Sequence, residues 1–206
     1  MADQSRVLDT EALKGLAHPL RVALLDALST YGPATASKLG ERLGESSGAT
    51  SYHLRQLEKN GLVREVEGRG SGRERWWERV PGGITLRGYD FAPESVERAA
   101  SDMILSEWVR NQRQIVNDYL SRGEVLLSHD WFEAGIMDVS NLRLTLAQLR
   151  RLNDELQELV KPYIKISRAQ TEPGARPVQL QINGIPIVDA EPIPGPADVG
   201  GAEENS

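Results

Sequence analysis

The feature that most constrains the fold is an amphipathic helix followed directly by two short strands. Residues 47–60 predict the helix, because their apolar positions recur on one face at about 100° per residue. Gly61 ends it, since glycine tolerates the positive φ that is common just after a helix. Residues 62–67 and 73–80 predict strands, joined by the glycine-rich turn 68–72. The segment therefore predicts a helix that leads into a β-hairpin.

Shorter helices are predicted before this segment, over residues 10–17, 19–30 and 34–43. Apolar residues recur in them at three- and four-residue steps, and Pro19 suits the first turn of the second helix. Helices followed by a hairpin are the layout of a winged helix-turn-helix. We therefore predict an α+β, mainly α fold, with a winged helix-turn-helix DNA-binding domain over residues 10–80.

The helix 47–60 is predicted to turn a small, hydroxylated and basic face away from its apolar one. Small residues at its start let the backbone approach the major groove of DNA, while hydroxyls and Tyr52 suit base edges or phosphates. Arg55 and Lys59 suit the phosphate backbone. On an isolated surface helix such residues are usually just solvated. The adjoining helix and hairpin instead favour DNA binding.

The hairpin adds arginines near its tip, where a wing would meet the minor groove or nearby phosphates. The alternative is a solubilising hairpin tip. Trp76 and Trp77 face opposite sides of the returning strand, so we expect one in the core and the other on the long C-terminal helix or a partner subunit. His53 borders the basic face and either touches phosphate or packs. The predicted DNA-binding residues are Ser46, Ser47, Gly48, Ser51, Tyr52, His53, Arg55, Lys59, Arg69, Arg73 and Arg75.

The net charge of −6 looks unfavourable for a protein that binds DNA, but the charges are unevenly distributed. Residues 1–80 hold 12 Lys and Arg against 11 Asp and Glu, whereas residues 81–206 hold 12 against 19. Beyond a Debye length of about 8 Å, the distant acidic residues are screened. A local basic surface on an acidic chain can therefore still bind phosphates.

Two stretches of this region are similar to a known family. Residues 16–25, LAHPLRVALL, and residues 49–63, ATSYHLRQLEKNGLV, resemble the ArsR family of winged-helix repressors. The pattern Ser-x-His-Leu-x-x-Leu-x-x-x-Gly-Leu-Val is fairly specific to this family and its near relatives, and the match covers about residues 10–80. The resemblance implies a homodimeric repressor that binds a palindromic operator in double-stranded DNA, with one recognition helix in each half-site.

The sequence departs from the metal sensing for which this family is best known. The resemblance places a cysteine pair on the helix matched by residues 34–43, but the chain has no cysteine. The predicted helix 94–121 contains no histidine, so a clustered metal site there is also missing. We predict no metal site and no cofactor. Scattered histidines without a cysteine leave no nucleophile–base pair, so an enzyme is not favoured.

The C-terminal half is predicted to supply dimerisation. Residues 94–188 begin with a long amphipathic helix whose apolar stripe is wide enough for a partner subunit. The alternative is that this stripe packs against its own domain, and both can hold. The remainder is predicted as a small α+β extension that either binds an effector or braces the dimer. Residues 189–206 hold several prolines and few apolar residues, which predicts a disordered tail. The elements predicted here are the helices 94–121 and 145–163 and the strands 136–142 and 177–188.

Two other functions stay open on the sequence. One is a ligand-gated sensor whose C-terminal half binds a small organic effector, which a buried apolar pocket near Trp108 and Trp131 would favour. The other is a winged-helix protein-interaction module, which a wing without arginines would favour. The chain has no apolar run near the roughly 20 residues of a membrane span, and its polar start lacks an export signal. We therefore expect a cytoplasmic protein with no membrane partner.

Overall fold

The computed structural model describes residues 6–69 and 74–193, most of which are helical. These residues form two units, one running to Val139 with Arg176–Gln179 added, the other comprising Ser140–Ala175 and the residues from Leu180 onward. The predicted fold class, α+β and mainly α, is confirmed. In chain order the elements are β1 (Arg6–Val7), α1 (Thr10–Leu16), α2 (Pro19–Tyr31), β2 (Ala34–Thr35), α3 (Ala36–Leu43), α4 (Ser47–Lys59), β3 (Val63–Glu65), β4 (Trp76–Arg79), β5 (Ile84–Thr85), α5 (Val96–Leu126), α6 (His129–Glu133) and α7 (Leu146–Arg168).

A leucine-rich core lies between α1, α2, α4 and the hairpin of the first unit. The apolar stripes of these helices turn toward one another, and Trp77 of β4 closes the core at 2% exposure. Burial of this kind is the main favourable term in folding, because it removes apolar surface from water. The fully buried members include Leu13, Leu16, Val22, Leu24, Leu25, Leu54, Leu57 and Val63.

The turn between α3 and α4 is tight because a glycine allows close approach. A Cβ added at Gly40 would lie 2.7 Å from the Glu45 carbonyl oxygen and 3.2 Å from Thr50 Oγ1. Gly44 adopts the left-handed conformation at φ 71°, which glycine accepts without steric cost. The Ser46 hydroxyl then accepts a hydrogen bond from the Ala49 N–H at 3.2 Å and caps α4. These contacts fix the angle at which α4 leaves α3.

The predicted hairpin is confirmed, with shorter strands than expected. β4 pairs antiparallel with β3 through Val63 and Arg79, and with β2 through Thr35 and Trp76. The strand β2 was not predicted, because its residues were included in the helix that follows. A separate parallel pair joins β1 to β5. Part of the predicted turn, residues 70–73, lies outside the described residues.

The long helix α5 packs its first half against α1 and α2. Ile104 is fully buried in the core, and Asn111 donates a side-chain hydrogen bond to the Asp26 carboxylate at 2.7 Å. The predicted range 94–121 is five residues short at its C-terminal end. Ser95 caps the helix by accepting from the Arg98 N–H at 3.1 Å. No helix in the described part of the chain is both long enough and apolar enough to span a membrane.

The second unit contains α7 and irregular segments. A capping box begins α7, since Thr145 and Gln148 exchange hydrogen bonds. The helix continues past the predicted end at residue 163 to Arg168. Pro162 lies inside it and removes one backbone N–H, but the helix does not end there.

The two strands predicted in the C-terminal half are wrong. Residues 136–142 and 177–188 have no strand structure, although apolar residues alternate in the first part of the second segment. The physical reason is that alternation predicts a strand only where a neighbouring strand completes its hydrogen bonds, and the described residues offer none here. Of the predicted disordered tail, residues 194–206 lie outside the described residues.

Candidate nucleic-acid interface

The helix α4 separates a buried face from an exposed one. Thr50, Leu54 and Leu57 are fully buried, as predicted from the helical wheel. Thr50 also donates its hydroxyl hydrogen bond to the Ser46 carbonyl oxygen at 2.9 Å, so this buried polar group is satisfied. Tyr52 lies on the other side with 58% of its surface exposed. The core therefore fixes which side chains α4 presents outward.

The outward face of α4 is basic and has free cations. Arg55 and Lys59 are exposed, and within the described chain neither has a hydrogen-bond or ion-pair partner. Ser47 and Gly48 are exposed in the first turn, where backbone N–H groups lack helical partners. Ser51 is partly buried beside them. This face can accept an anion without first breaking an existing ion pair.

His53 lies at the edge of this face and packs against another histidine. Its ring centroid is 4.3 Å from that of His18, and its Nδ1 atom is buried without a hydrogen-bond partner. Burial lowers the pKa of His53, with further lowering from His18 and Arg21 and an opposing effect from Glu45. The neutral ring is therefore the favoured form at this position.

His18 has the structural role that its place before Pro19 predicts. Its Nδ1 atom accepts a hydrogen bond from the Leu20 N–H at 3.1 Å and caps α2. That bond requires an unprotonated Nδ1 atom. His18 and His53 lie close together, but in the described residues no third His, Asp or Glu joins them as a set of metal ligands.

The arginines of the hairpin differ in what they contact. Arg75 forms an ion pair with Glu65 at 3.4 Å across the hairpin, and Arg64 pairs with Glu78 at 2.7 Å. Arg69 instead lies over the Trp76 ring, with its Cζ atom 3.9 Å from the ring centroid. Arg73 lies outside the described residues. Of the described wing arginines, Arg69 has the least compensated charge.

The paired tryptophans face opposite sides, as predicted. Trp77 is in the core, whereas Trp76 is half-buried and contacts Arg69 and also Lys38 of α3, whose Nζ atom is 4.8 Å from the ring centroid. The sequence led us to expect the second indole on the long helix or a partner subunit. Lys38 was missed, because the pairing of β2 with β4 that brings it to the hairpin is not visible in the sequence.

Comparison with known proteins supports a helix-turn-helix assignment. Residues 16–66 match the family described as a helix-turn-helix domain, a range that runs from the end of α1 past β3. The described structure adds the hairpin that makes the domain winged. The predicted helix-turn-helix is thus confirmed at the level of this domain. No curated protein sequence matches the chain.

Several solved structures share partial similarity. HlyU from Vibrio cholerae is 23% identical, covering 46% of this chain and 84% of its own, with a TM-score of 0.30. A homodimeric winged helix-turn-helix DNA-binding domain from Mycobacterium bovis, described as a possible ArsR-family regulator, is 21% identical, covering 58% and 82%, with a TM-score of 0.30. A MarR family regulator from Neisseria meningitidis is 18% identical, covering 74% and 80%, with a TM-score of 0.30. These similarities are too distant to transfer a function.

Proposed function

We propose that this protein is a cytoplasmic, DNA-binding transcription regulator that acts as a homodimeric repressor on a palindromic operator. In this proposal α4 is the recognition helix and enters the major groove, while the β3–β4 hairpin is the wing. The observation that carries the proposal is that Arg55 and Lys59 are exposed on the face of α4 opposite its buried residues and have no ion-pair partner among the described residues.

The first turn of α4 supports close approach to DNA. Ser46, Ser47 and Gly48 have small side chains and are exposed, so the backbone there can lie against a phosphate. The unpaired N–H groups and the positive end of the helix dipole favour that contact. Further along, Tyr52 and Arg55 are long enough to reach base edges or phosphates.

The charge distribution agrees with an interface on the N-terminal part of the chain. The excess of acidic residues falls in residues 81–206, with 19 Asp and Glu against 12 Lys and Arg. In the wing, we propose that Arg69 contacts the DNA directly. Arg75 is proposed as a second contact, with part of its charge neutralised by the ion pair with Glu65. Arg73 is proposed with them from its place in the sequence.

The proposed homodimer is supported by an unpartnered stripe on α5. Leu105, Val109 and Leu120 are 41%, 44% and 62% exposed, and Val116 continues the stripe with partial burial. Their spacing of four, seven and four residues keeps them on one face, as in helices that pair with a second helix. A palindromic operator matches a two-fold dimer, because each half-site then meets the same surface.

The test is to select duplexes from a library of genomic fragments and to titrate the best one with protein variants. We expect Arg55→Ala to weaken binding about tenfold, since a lost base or phosphate contact costs about 1–3 kcal/mol. Arg150→Ala is the matched control, because this arginine is exposed on α7 in the other unit. Thermal unfolding should not change in either variant, and saturation should require two chains per duplex.

Two results would overturn the proposal. One is a selection that enriches no duplex, which would favour a protein-interaction module. The other is an Arg55→Ala variant that binds as tightly as the Arg150→Ala control. A ratio of one chain per duplex would retain DNA binding and reject the homodimer.

A further inference from the structure

Two cations from different elements contact the ring of Trp76. Lys38 comes from the first turn of α3 and Arg69 from the hairpin, and both place their charged ends within 4.8 Å of the indole centroid. Tryptophan is the aromatic side chain that attracts cations most strongly. The Trp76 ring therefore links α3 of the helix-turn-helix to the wing, because it attracts one cation from each.

The backbone holds Trp76 and Lys38 in a fixed relation. Thr35 of β2 pairs directly with Trp76 of β4. The Thr35 hydroxyl also accepts a hydrogen bond from the Lys38 N–H at 3.3 Å and caps α3. Thr35 thus takes part in both the strand pairing and the helix cap. The position of Lys38 therefore depends on β4, the strand that carries Trp76.

These two cations differ from the other described cations of the hairpin. Arg64 and Arg75 each face a glutamate on the neighbouring strand. Lys38 and Arg69 have no carboxylate partner within the described residues. Two like charges held near one ring repel each other, and an anion placed between or beside them would relieve that repulsion. The arrangement is suited to a phosphate.

We propose that Trp76 is a positioning residue that holds Lys38 and Arg69 together as one binding site for a phosphate of the DNA backbone. The site spans α3 and the hairpin, so it would fix the wing relative to the recognition helix when DNA is bound. This inference rests on the proposed function. It adds Lys38 as a phosphate contact and gives Trp76 an indirect role.

The experiment compares three changes with a matched control, using the full chain and a selected duplex. Trp76→Leu removes the ring face but keeps an apolar side chain, and we expect about fivefold weaker binding. The slope of log affinity against log salt should fall by about one, as expected for a lost phosphate contact. Trp76→Tyr, which keeps a ring face, should restore most of the affinity and the slope.

The control separates this site from general charge effects. Arg64→Gln and Arg69→Gln remove the same charge from the same hairpin, but Arg64 is already paired with Glu78. We expect about tenfold weaker binding for Arg69→Gln and less than about twofold for Arg64→Gln. In an Arg69→Gln, Lys38→Gln background, Trp76→Leu should cause no further loss, because it would have nothing left to position.

A measurement without DNA distinguishes the failure of this inference from failure of the proposed function. Ring currents of Trp76 should shift the side-chain proton resonances of Lys38 and Arg69 upfield in the free protein, and Trp76→Leu should abolish the shifts. If the wild type binds duplexes and Trp76→Leu binds equally well with the same salt slope, the inference is overturned alone. If no duplex binds while the shifts are present, the proposed function fails and the DNA role of this site fails with it.

Discussion

The winged-helix unit and the C-terminal unit use similar leucine-rich helices in different ways. In α4, Leu54 and Leu57 are fully buried against neighbouring elements. In α7 no residue is buried, and Leu159 is 63% exposed. An amphipathic pattern therefore predicts that a helix forms, but it does not identify what, if anything, covers the apolar face.

Local interactions account for more of the order in α7. Thr145 and Gln148 form a capping box, and Arg151 pairs with Glu155 one turn later at 2.7 Å. Capping and such ion pairs each contribute modestly in water. In α4 the tertiary contacts are far more extensive, so removing one side chain should have unequal effects in the two helices.

The largest expected effect tests this difference directly. Leu54→Ala should lower the free energy of unfolding by about 2–5 kcal/mol, because it removes a fully buried side chain and leaves a cavity. Leu159→Ala, the same change on α7, should cost about 0.5 kcal/mol or less. Denaturation in urea, followed by circular dichroism, measures both. Equal losses would mean that the face of α7 is covered in solution.

A smaller effect is expected at the turn that orients α4. Gly40→Ala places a Cβ 2.7 Å from the Glu45 carbonyl oxygen, so we expect a loss of about 1–3 kcal/mol. Gly48→Ala is the matched control, since a Cβ there meets no atom within 4 Å. Alanine in a helix is favoured over glycine, so this control should gain about 0.5–1 kcal/mol. Thermal unfolding of the two variants checks the sign, and a stabilised Gly40→Ala protein would contradict the tight packing of this turn.

The smallest expected effect concerns the hydrogen bond between Asp26 of α2 and Asn111 of α5. Burial raises the pKa of Asp26, while Asn111 and Arg79 oppose the shift. The folded state therefore binds this proton more tightly than the unfolded chain, and its stability should fall as pH rises from the ordinary carboxyl pKa through the raised one. Asp26→Asn keeps an oxygen that accepts from Asn111 but cannot ionise. It should reduce this pH dependence and raise stability at pH 7 by about 1 kcal/mol or less.

Urea titrations at pH 3.5 and pH 7 measure the effect of this substitution. We expect wild type and variant to differ less at the lower pH, where Asp26 is mostly protonated in both the folded and the unfolded state. If the stability difference between wild type and variant instead grows toward low pH, the pKa of Asp26 is lowered in the folded protein rather than raised.

The sequence was sufficient to predict the elements that a pattern within a short stretch of the chain identifies. The helices α1 to α5, the hairpin and the buried face of α4 follow from helical spacing and from glycines at the turns, whereas α6 was not predicted. The strands predicted at 136–142 and 177–188 failed because strand formation depends on a distant partner. The end of α7 at Arg168 was missed although the predicted helix already included Pro162, because the apolar stripe that predicted the helix ends at Val160.

The candidate interface divides in the same way. The outward positions of Tyr52, Arg55 and Lys59 follow from a helical wheel. The packing of His53 on His18 and the stacking of Lys38 on Trp76 join residues far apart in the sequence. Such contacts depend on how α2 packs on α4 and how α3 packs on the hairpin, and no spacing rule predicts them.

The length of α5 gives a mechanical consequence to the hydrogen bond between Asn111 and Asp26 of α2. Asn111 is near the middle of the 31-residue helix, and Leu126 ends about 22 Å farther along its axis. Tyr119, stacked on Phe132 at 5.1 Å, ties α6 to this distal half. If the helix pivots at the Asp26–Asn111 bond, a tilt of about 10° moves its end by about 4 Å. A displacement of about 0.9 Å at a point about 5 Å from this bond gives the same tilt, so it would be enlarged about fourfold at Leu126.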